Sequence, residues 1–234
     1  MQQGVSFLIH GHSKTGKSTL SDTSPAPRLV LDAEGGASTR FTKSRKVQWN
    51  PMMEAPPVPD GTWETAVVHV RSFQDVQRAY DWLNSGQHHF KSVSVDSLSE
   101  TQQRCVDAIA GTEAMRTQDW GELLRKMSSL VRQYRDLIIH PTNPLEVVTF
   151  IAMTRDYEGT KRPYVQGALA STLPYYVDVC GYMWTEADAT SGEIRHRLLC
   201  GQVGPFEAGD RTGKLGTVVE NPNIMEMLAK IYAD

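Results

Sequence analysis

The chain is short of cysteine, of net charge and of long apolar runs, and each shortage removes a class of protein. Its cysteines, Cys105, Cys180 and Cys200, are an odd, widely spaced set with no C-x-x-C pair. They read as reduced, buried, small apolar residues rather than a disulfide framework. No run of roughly 18 apolar residues occurs, so no transmembrane helix and no membrane partner are expected. The N-terminus has no basic stretch followed by an apolar one, so a signal peptide is not expected and the cytoplasm is the expected compartment. The formal net charge is −3, whereas a protein that coats nucleic acid by bulk charge is basic. Any contact with DNA must then come from a local patch. One candidate is Arg40, Lys43, Arg45 and Lys46, four cations in seven residues with no acid among them; a solvated loop is the plain alternative.

What remains is an ordinary globular balance. The 234 residues are 40% hydrophobic and 22% charged, enough for one α/β domain over residues 1–234 with ample core. Neither an internal repeat nor a long low-complexity tract divides it. Apolar and β-branched runs predict strands at 4–10, Arg28–Asp32, Thr65–Val70, Val93–Asp96, Val147–Met153, Val177–Thr185 and Ile194–Cys200. The unbroken run from Val147 to Met153 has the pattern of a central parallel strand. Phe73, Val76, Tyr80 and Leu83 recur at helical spacing and stop at Asn84-Ser85-Gly86, and a second helix runs from Ser99 to about Ile109. The clearest helix, 119–139, carries a stripe from Trp120 through Leu123, Met127, Leu130 and Tyr134 to Ile138 that reads as core. A last helix starts near Asn223. Residues 50–62, rich in proline, form a surface loop, and 156–175 a polar loop that can hold a short helix. Strands alternating with helices make a parallel sheet covered on both faces.

One segment carries chemistry by itself. Gly11-His12-Ser13-Lys14-Thr15-Gly16-Lys17-Ser18 matches G-x-x-x-x-G-K-[ST], the phosphate-binding P-loop. Its flanks agree with the motif: the apolar run Val5–Ile9 precedes it, and Ser18-Thr19-Leu20 can open a helix. A strand that feeds such a loop into a helix N-terminus aims backbone N–H groups and the positive end of the helix dipole at one point. Residues 11–19 are therefore the candidate nucleotide cradle. Gly11 and Gly16 take backbone angles that a Cβ would forbid, Lys17 reaches the β- and γ-phosphates, and the Ser18 hydroxyl ligates Mg²⁺. Asp96, at the end of Val93-Ser94-Val95, has the placement of the carboxylate that holds Mg²⁺ through its water shell; a helix N-cap is the alternative. Glu34, at the end of Leu29-Val30-Leu31-Asp32-Ala33, can polarise or deprotonate water; a turn residue before Gly35-Gly36 is the alternative. Asp32 is alternatively a structural acid at the strand end.

Together the P-loop, Asp32-Ala33-Glu34 and Val95-Asp96-Ser97 resemble the ATPase core of RecA-type recombinases. The segments Asp32-x-Glu34-Gly35-Gly36, Asp96-Ser97-Leu98 and Leu173-Pro174-x-x-Val177-Asp178-x-x-Gly181 are more similar to the RecA-like single-strand-annealing ATPases of phages, the fourth Sak superfamily. The resemblance runs from about residue 4 to 216. It implies a RecA-like P-loop NTPase fold: a mostly parallel central sheet, helices on both faces, antiparallel strands toward the C-terminus. It implies an ATPase with ATP and Mg²⁺ as cofactors, Glu34 as catalytic acid–base and Asp96 as Walker B acid. Single-stranded DNA, a second copy of the chain in a ring or filament, and a single-strand-binding protein are the implied partners, in host cytoplasm if the chain is phage-encoded. The family's polar sensor, usually Gln or His, would fall near Met153, leaving Thr154 to hydrogen-bond phosphate or water and Arg155 just beyond. The segment Phe206–Lys214 resembles the family's basic segment, with Arg211 first and Lys214 second as the cation that completes a neighbour's site. DNA-contact loops would match about 111–119 and 156–172, the latter with Lys161, Arg162 and Tyr164. A nucleotide-gated assembly module and a P-loop kinase are the alternative functions.

Overall fold

The computed structural model describes residues 4–36, 45–188 and 190–233. In chain order the strands are β1 (Val5–Gly11), β2 (Arg28–Asp32), β3 (Lys46–Gln48), β4 (Thr65–His69), β5 (Ser92–Asp96), β6 (Val147–Tyr157), β7 (Thr160–Pro163), β8 (Val179–Ala187), β9 (Ile194–Leu199), β10 (Gly209–Asp210) and β11 (Val218–Glu220). The helices are α1 (Lys17–Ser21), α2 (Phe73–Asn84), α3 (Leu98–Ala110), α4 (Thr117–Asp136), α5 (Leu169–Thr172) and α6 (Ile224–Tyr232). The sheet runs β11-β9-β8-β1-β6-β5-β2-β4-β3, with β10 on β8 and β7 on β6. From β8 to β3 every neighbouring pair is parallel. The pairs β8–β9, β9–β11, β8–β10 and β6–β7 are antiparallel. This is the expected mostly parallel sheet with antiparallel strands toward the C-terminus.

Alternation along β1 shows why both faces are covered. Leu8 packs with residues of α2, α3 and α4, while Phe7 and Ile9 pack with Leu20 of α1 and with Ile224, Met227 and Leu228 of α6. Successive side chains of a strand point to opposite faces, so a central strand under helices on both sides is apolar throughout. Local signals set the helix starts. Ser72 and Asp75 close a capping box on α2, and the Ser97 side chain accepts the Glu100 N–H at α3. The N-cap of α3 is thus Ser97, not Asp96. In α4, Leu123, Met127, Leu130, Val131 and Tyr134 are buried. The Tyr134 hydroxyl donates to the Val76 carbonyl at 2.7 Å. Tyr134→Phe should therefore lower stability by about 1 kcal/mol, read as a shift in the urea midpoint without a change in slope.

Four expectations are corrected. Trp120 leaves the core stripe: one turn into α4, it is 43% exposed. The segment 156–175 is not a loop from its start. β6 continues to Tyr157, and Glu158 and Gly159, both at positive φ, turn the chain into β7, a mirror-image turn that suits the twist of a hairpin. β3, β10 and β11 were not foreseen, being two or three residues each and too short to show a period. Of the basic cluster, Arg40 and Lys43 lie outside the described residues. Arg45 pairs with Glu64 at 3.3 Å while its side chain stays exposed, and the buried Lys46 ammonium lies 3.8 Å from Asp22, so Lys46 is withdrawn from any surface patch. The three cysteines are buried and unbridged, as expected. Among the described residues no helix is long and apolar enough to cross a membrane.

Candidate nucleotide site

β1 delivers the P-loop to the C-terminal edge of the sheet, between Met153 of β6 and Met183 of β8. Gly11 is required there for close approach, because the Met183 carbonyl occupies the space a Cβ would need. Its role is not an unusual backbone angle. Gly16 does need one: its φ is +95° where it opens α1. Two contacts brace the loop. The Thr15 hydroxyl donates to the His12 carbonyl at 3.0 Å, and His196 of β9 reaches the Thr15 carbonyl through Nδ1 at 2.9 Å. A carbonyl only accepts, so His196 carries its proton on Nδ1. The Lys17 ammonium folds back onto the carbonyls of Gly11 and His12 at 3.0 and 2.7 Å. Burial pulls its pKa below the usual lysine value, while Asp96 and Glu34 pull it up.

The carboxylates arrive by register. Asp32 lies beside Asp96, and Asp96 beside Ile151, so β2, β5 and β6 end together in front of the loop. Burial first, then the charges of Glu34 and Asp32, push the Asp96 carboxyl up to about 6, against the Ser18 hydroxyl bond and Lys17, which pull it down. Asp32 is structural: Oδ1 accepts the Gly35 and Gly36 N–H groups at 2.8 and 3.1 Å, and Oδ2 lies 3.6 Å from His69. That turn presents Glu34, whose carboxylate accepts the Ser97 hydroxyl. Ser97 escaped the site reading although it follows Asp96 directly; its dual role as cap and Glu34 partner depends on β2 and β5 being neighbours.

These groups face one cavity of about 370 Å³. His12, Ser13, Lys14, Gly16, Lys17, Ser18 and Thr19 line it on one side, and Glu34, Asp96, Ile151, Met153 and Thr154 on the other. Gly11 and Thr15 are not among the lining residues. Met153 is 40% exposed, so the apolar residue occupies the expected sensor place and Thr154 supplies the polar group. Mg²⁺ fits the donor set. No group of three or more His, Cys, Asp or Glu side chains able to hold a metal occurs among the described residues, but Mg²⁺ bound with a nucleotide needs only one or two protein oxygens, and the buried Asp96 carboxylate and Ser18 hydroxyl meet that need.

Arg211 is not part of this cavity in its own chain. It follows β10, donates to the Tyr175 carbonyl at 3.0 Å and lies 3.4 Å from Asp178. Asp178 precedes β8 and accepts the N–H and hydroxyl of Ser6 at 2.9 and 2.7 Å, at the end of the sheet opposite the P-loop. Lys214 donates to the Ala233 carbonyl. The Leu173–Gly181 segment is a lock between β8 and β1. Its Gly181 leaves room for Leu198, whose Cδ1 would lie 2.6 Å from a Cβ built there.

A second cleft, about 600 Å³, opens beside the hairpin. Arg162 and Tyr164 line it with Trp120, Arg155 and Tyr157, three residues not assigned to nucleic-acid contact from sequence. The Arg155 guanidinium stands 5.7 Å over the Tyr164 ring, and Arg162 stands 5.9 Å over Tyr157. Lys161 does not line the cleft; it pairs with Asp156 at 3.5 Å. The pattern Arg155-x-Tyr157 and Arg162-x-Tyr164 was visible, but only the hairpin places the two pairs together.

Among solved structures the chain is similar to a KaiC-like protein of the hyperthermophilic archaeon Pyrococcus horikoshii. The identity is 12%, the match covers 85% of this chain and 79% of that one, and the TM-score is 0.46. No curated protein matches. Residues 3–212 match the family described as AAA domain, and because that span holds every residue facing the phosphate cavity, the chain belongs to this family of P-loop ATPases.

Proposed function

We propose that the chain is a Mg²⁺-dependent ATPase that acts on single-stranded DNA, in phage recombination, annealing or replication. The observation that carries the DNA part is the second cleft. Trp120, Tyr157 and Tyr164 offer faces on which bases stack, and Arg155 offers charge for phosphates; Arg162 lies 3.4 Å from Glu207 and contributes only by leaving that pair. Stacking tolerates any base and contributes about 1–3 kcal/mol per base. Nucleic-acid binding by such a patch suits a chain whose net charge is −3. The phage setting rests on the sequence resemblance. A homo-oligomer, ring or filament, in which a neighbour's Arg211 completes the site belongs to the same reading, and it requires Arg211 to leave Asp178.

The test is fluorescence titration of a labelled oligonucleotide with and without ATP, over a range of salt. Affinity should fall linearly with log salt, and Trp120→Ala should weaken it by about tenfold. Absence of binding at low salt in every nucleotide state would leave a nucleotide-gated assembly module as the reading. Appearance of a phosphorylated acceptor instead of free phosphate would indicate a kinase. Mass measurement of the assembled species tests the oligomer.

A further inference from the structure

One buried group beside the P-loop is not used by anything described so far. His10, the residue before Gly11, is fully buried. Its Nε2 lies 2.7 Å from the Glu207 carbonyl and its Nδ1 lies 3.0 Å from the Thr154 hydroxyl. Burial holds the imidazole at about 4, so it is neutral at physiological pH and carries one proton. The Glu207 carbonyl can only accept, which puts that proton on Nε2. Nδ1 is then an acceptor and takes its hydrogen bond from Thr154. The Arg162 carbonyl, 3.2 Å from the same hydroxyl, is a second acceptor. A hydroxyl has a single proton, and both of these neighbours compete for it.

We propose that His10 is a positioning residue that commits the Thr154 hydroxyl proton, so that Thr154 meets the nucleotide as an acceptor and orients the attacking water instead of binding the γ-phosphate. The inference rests on the ATPase reading and specifies the work of one residue in it. An ionised γ-phosphate presents acceptor oxygens, and Thr154 has no proton left to offer them. Water has two protons, and its hydrogen bond to Thr154 leaves an oxygen lone pair free for attack while Glu34 takes the proton. No bond is made or broken at Thr154 or His10.

Two measurements decide this. The first compares affinities for ADP and a non-hydrolysable ATP analogue, together with turnover, in Thr154→Val, Thr154→Ser, His10→Asn and His10→Phe. Thr154→Val should change the ratio of the two affinities by less than about twofold and lower turnover by about tenfold, the worth of one hydrogen bond. Thr154→Ser should lose less than Thr154→Val. His10→Asn, whose Oδ1 can stand in for Nδ1, should lose less than His10→Phe. The second is the ¹⁵N spectrum of the His10 ring in the unaltered protein, where Nδ1 should be the unprotonated nitrogen. A tenfold loss of analogue affinity relative to ADP in Thr154→Val, or a proton on Nδ1, overturns the proposal. Absence of turnover in the unaltered protein would refute the ATPase reading alone, because the affinity ratio and the ring tautomer are measured without hydrolysis.

Discussion

Glu34→Gln is expected to lower ATP turnover by about 10²–10⁴-fold while nucleotide affinity stays within a few-fold of the unaltered protein's. The substitution keeps an oxygen for the Ser97 hydroxyl and leaves the Asp32 turn intact, so the side chain stays in place. What it removes is basicity: an amide cannot take a proton from water at neutral pH. Lys17→Ala should behave differently. It deletes the ammonium that the P-loop carbonyls hold at 3.0 and 2.7 Å and that must swing to the phosphates when nucleotide binds, so affinity and turnover should fall together. Phosphate release and equilibrium nucleotide binding, measured on both variants, check the pair. Undiminished turnover in both would remove the assignment of this cavity as a hydrolytic site.

Asp96→Asn should abolish Mg²⁺-dependent turnover and, above pH 6, make the nucleotide-free protein more stable. Burial raises the Asp96 carboxyl from its ordinary 3.8 to about 6. The folded state therefore holds this proton more tightly than the unfolded state does. The associated stability is complete below the unfolded value and is lost as pH rises through the folded one. At pH 7.5 the ionised, buried carboxylate costs on the order of 3 kcal/mol, and Asn, which never ionises, avoids most of that cost. Thermal melts at pH 5 and 7.5 should show the variant's full advantage at the higher pH and about half of it at the lower, which lies between the unfolded and folded values. A variant less stable than the unaltered protein at pH 7.5 would mean that the Asp96 charge stabilises Lys17 and Ser18 by more than its own burial costs. The arrangement trades stability for a site that a cation completes.

Much of this site was legible because its signals are local. The P-loop is an eight-residue pattern whose glycine and lysine positions follow from backbone geometry, and Gly16 has the left-handed backbone expected of it. Asp96 and Glu34 follow apolar runs that are strands, and a parallel sheet brings strand C-termini to one edge. Gly11 shows where such reasoning stops. Its need for space comes from the Met183 carbonyl, far away in the chain. Trp120 shows the same limit: at helical spacing with Leu123 and Met127 it looks like core, yet it overhangs a cleft made by residues 155–171. Arg211 is the converse, a cation in a basic-looking segment that the fold ties to Asp178.

By itself the sequence determined that residues 11–18 carry the P-loop pattern and that two carboxylates stand at strand ends. Those properties depend on residues a few positions apart, where chain connectivity already limits the geometry. Tertiary structure decided what surrounds them. Thr154 and Glu207 stand 144 and 197 positions from the histidine they share, and Ser97 meets Glu34 across 63. Contacts at that separation are set by which strands are neighbours in the sheet, and strand order depends on burial of the whole core rather than on any local run of residues.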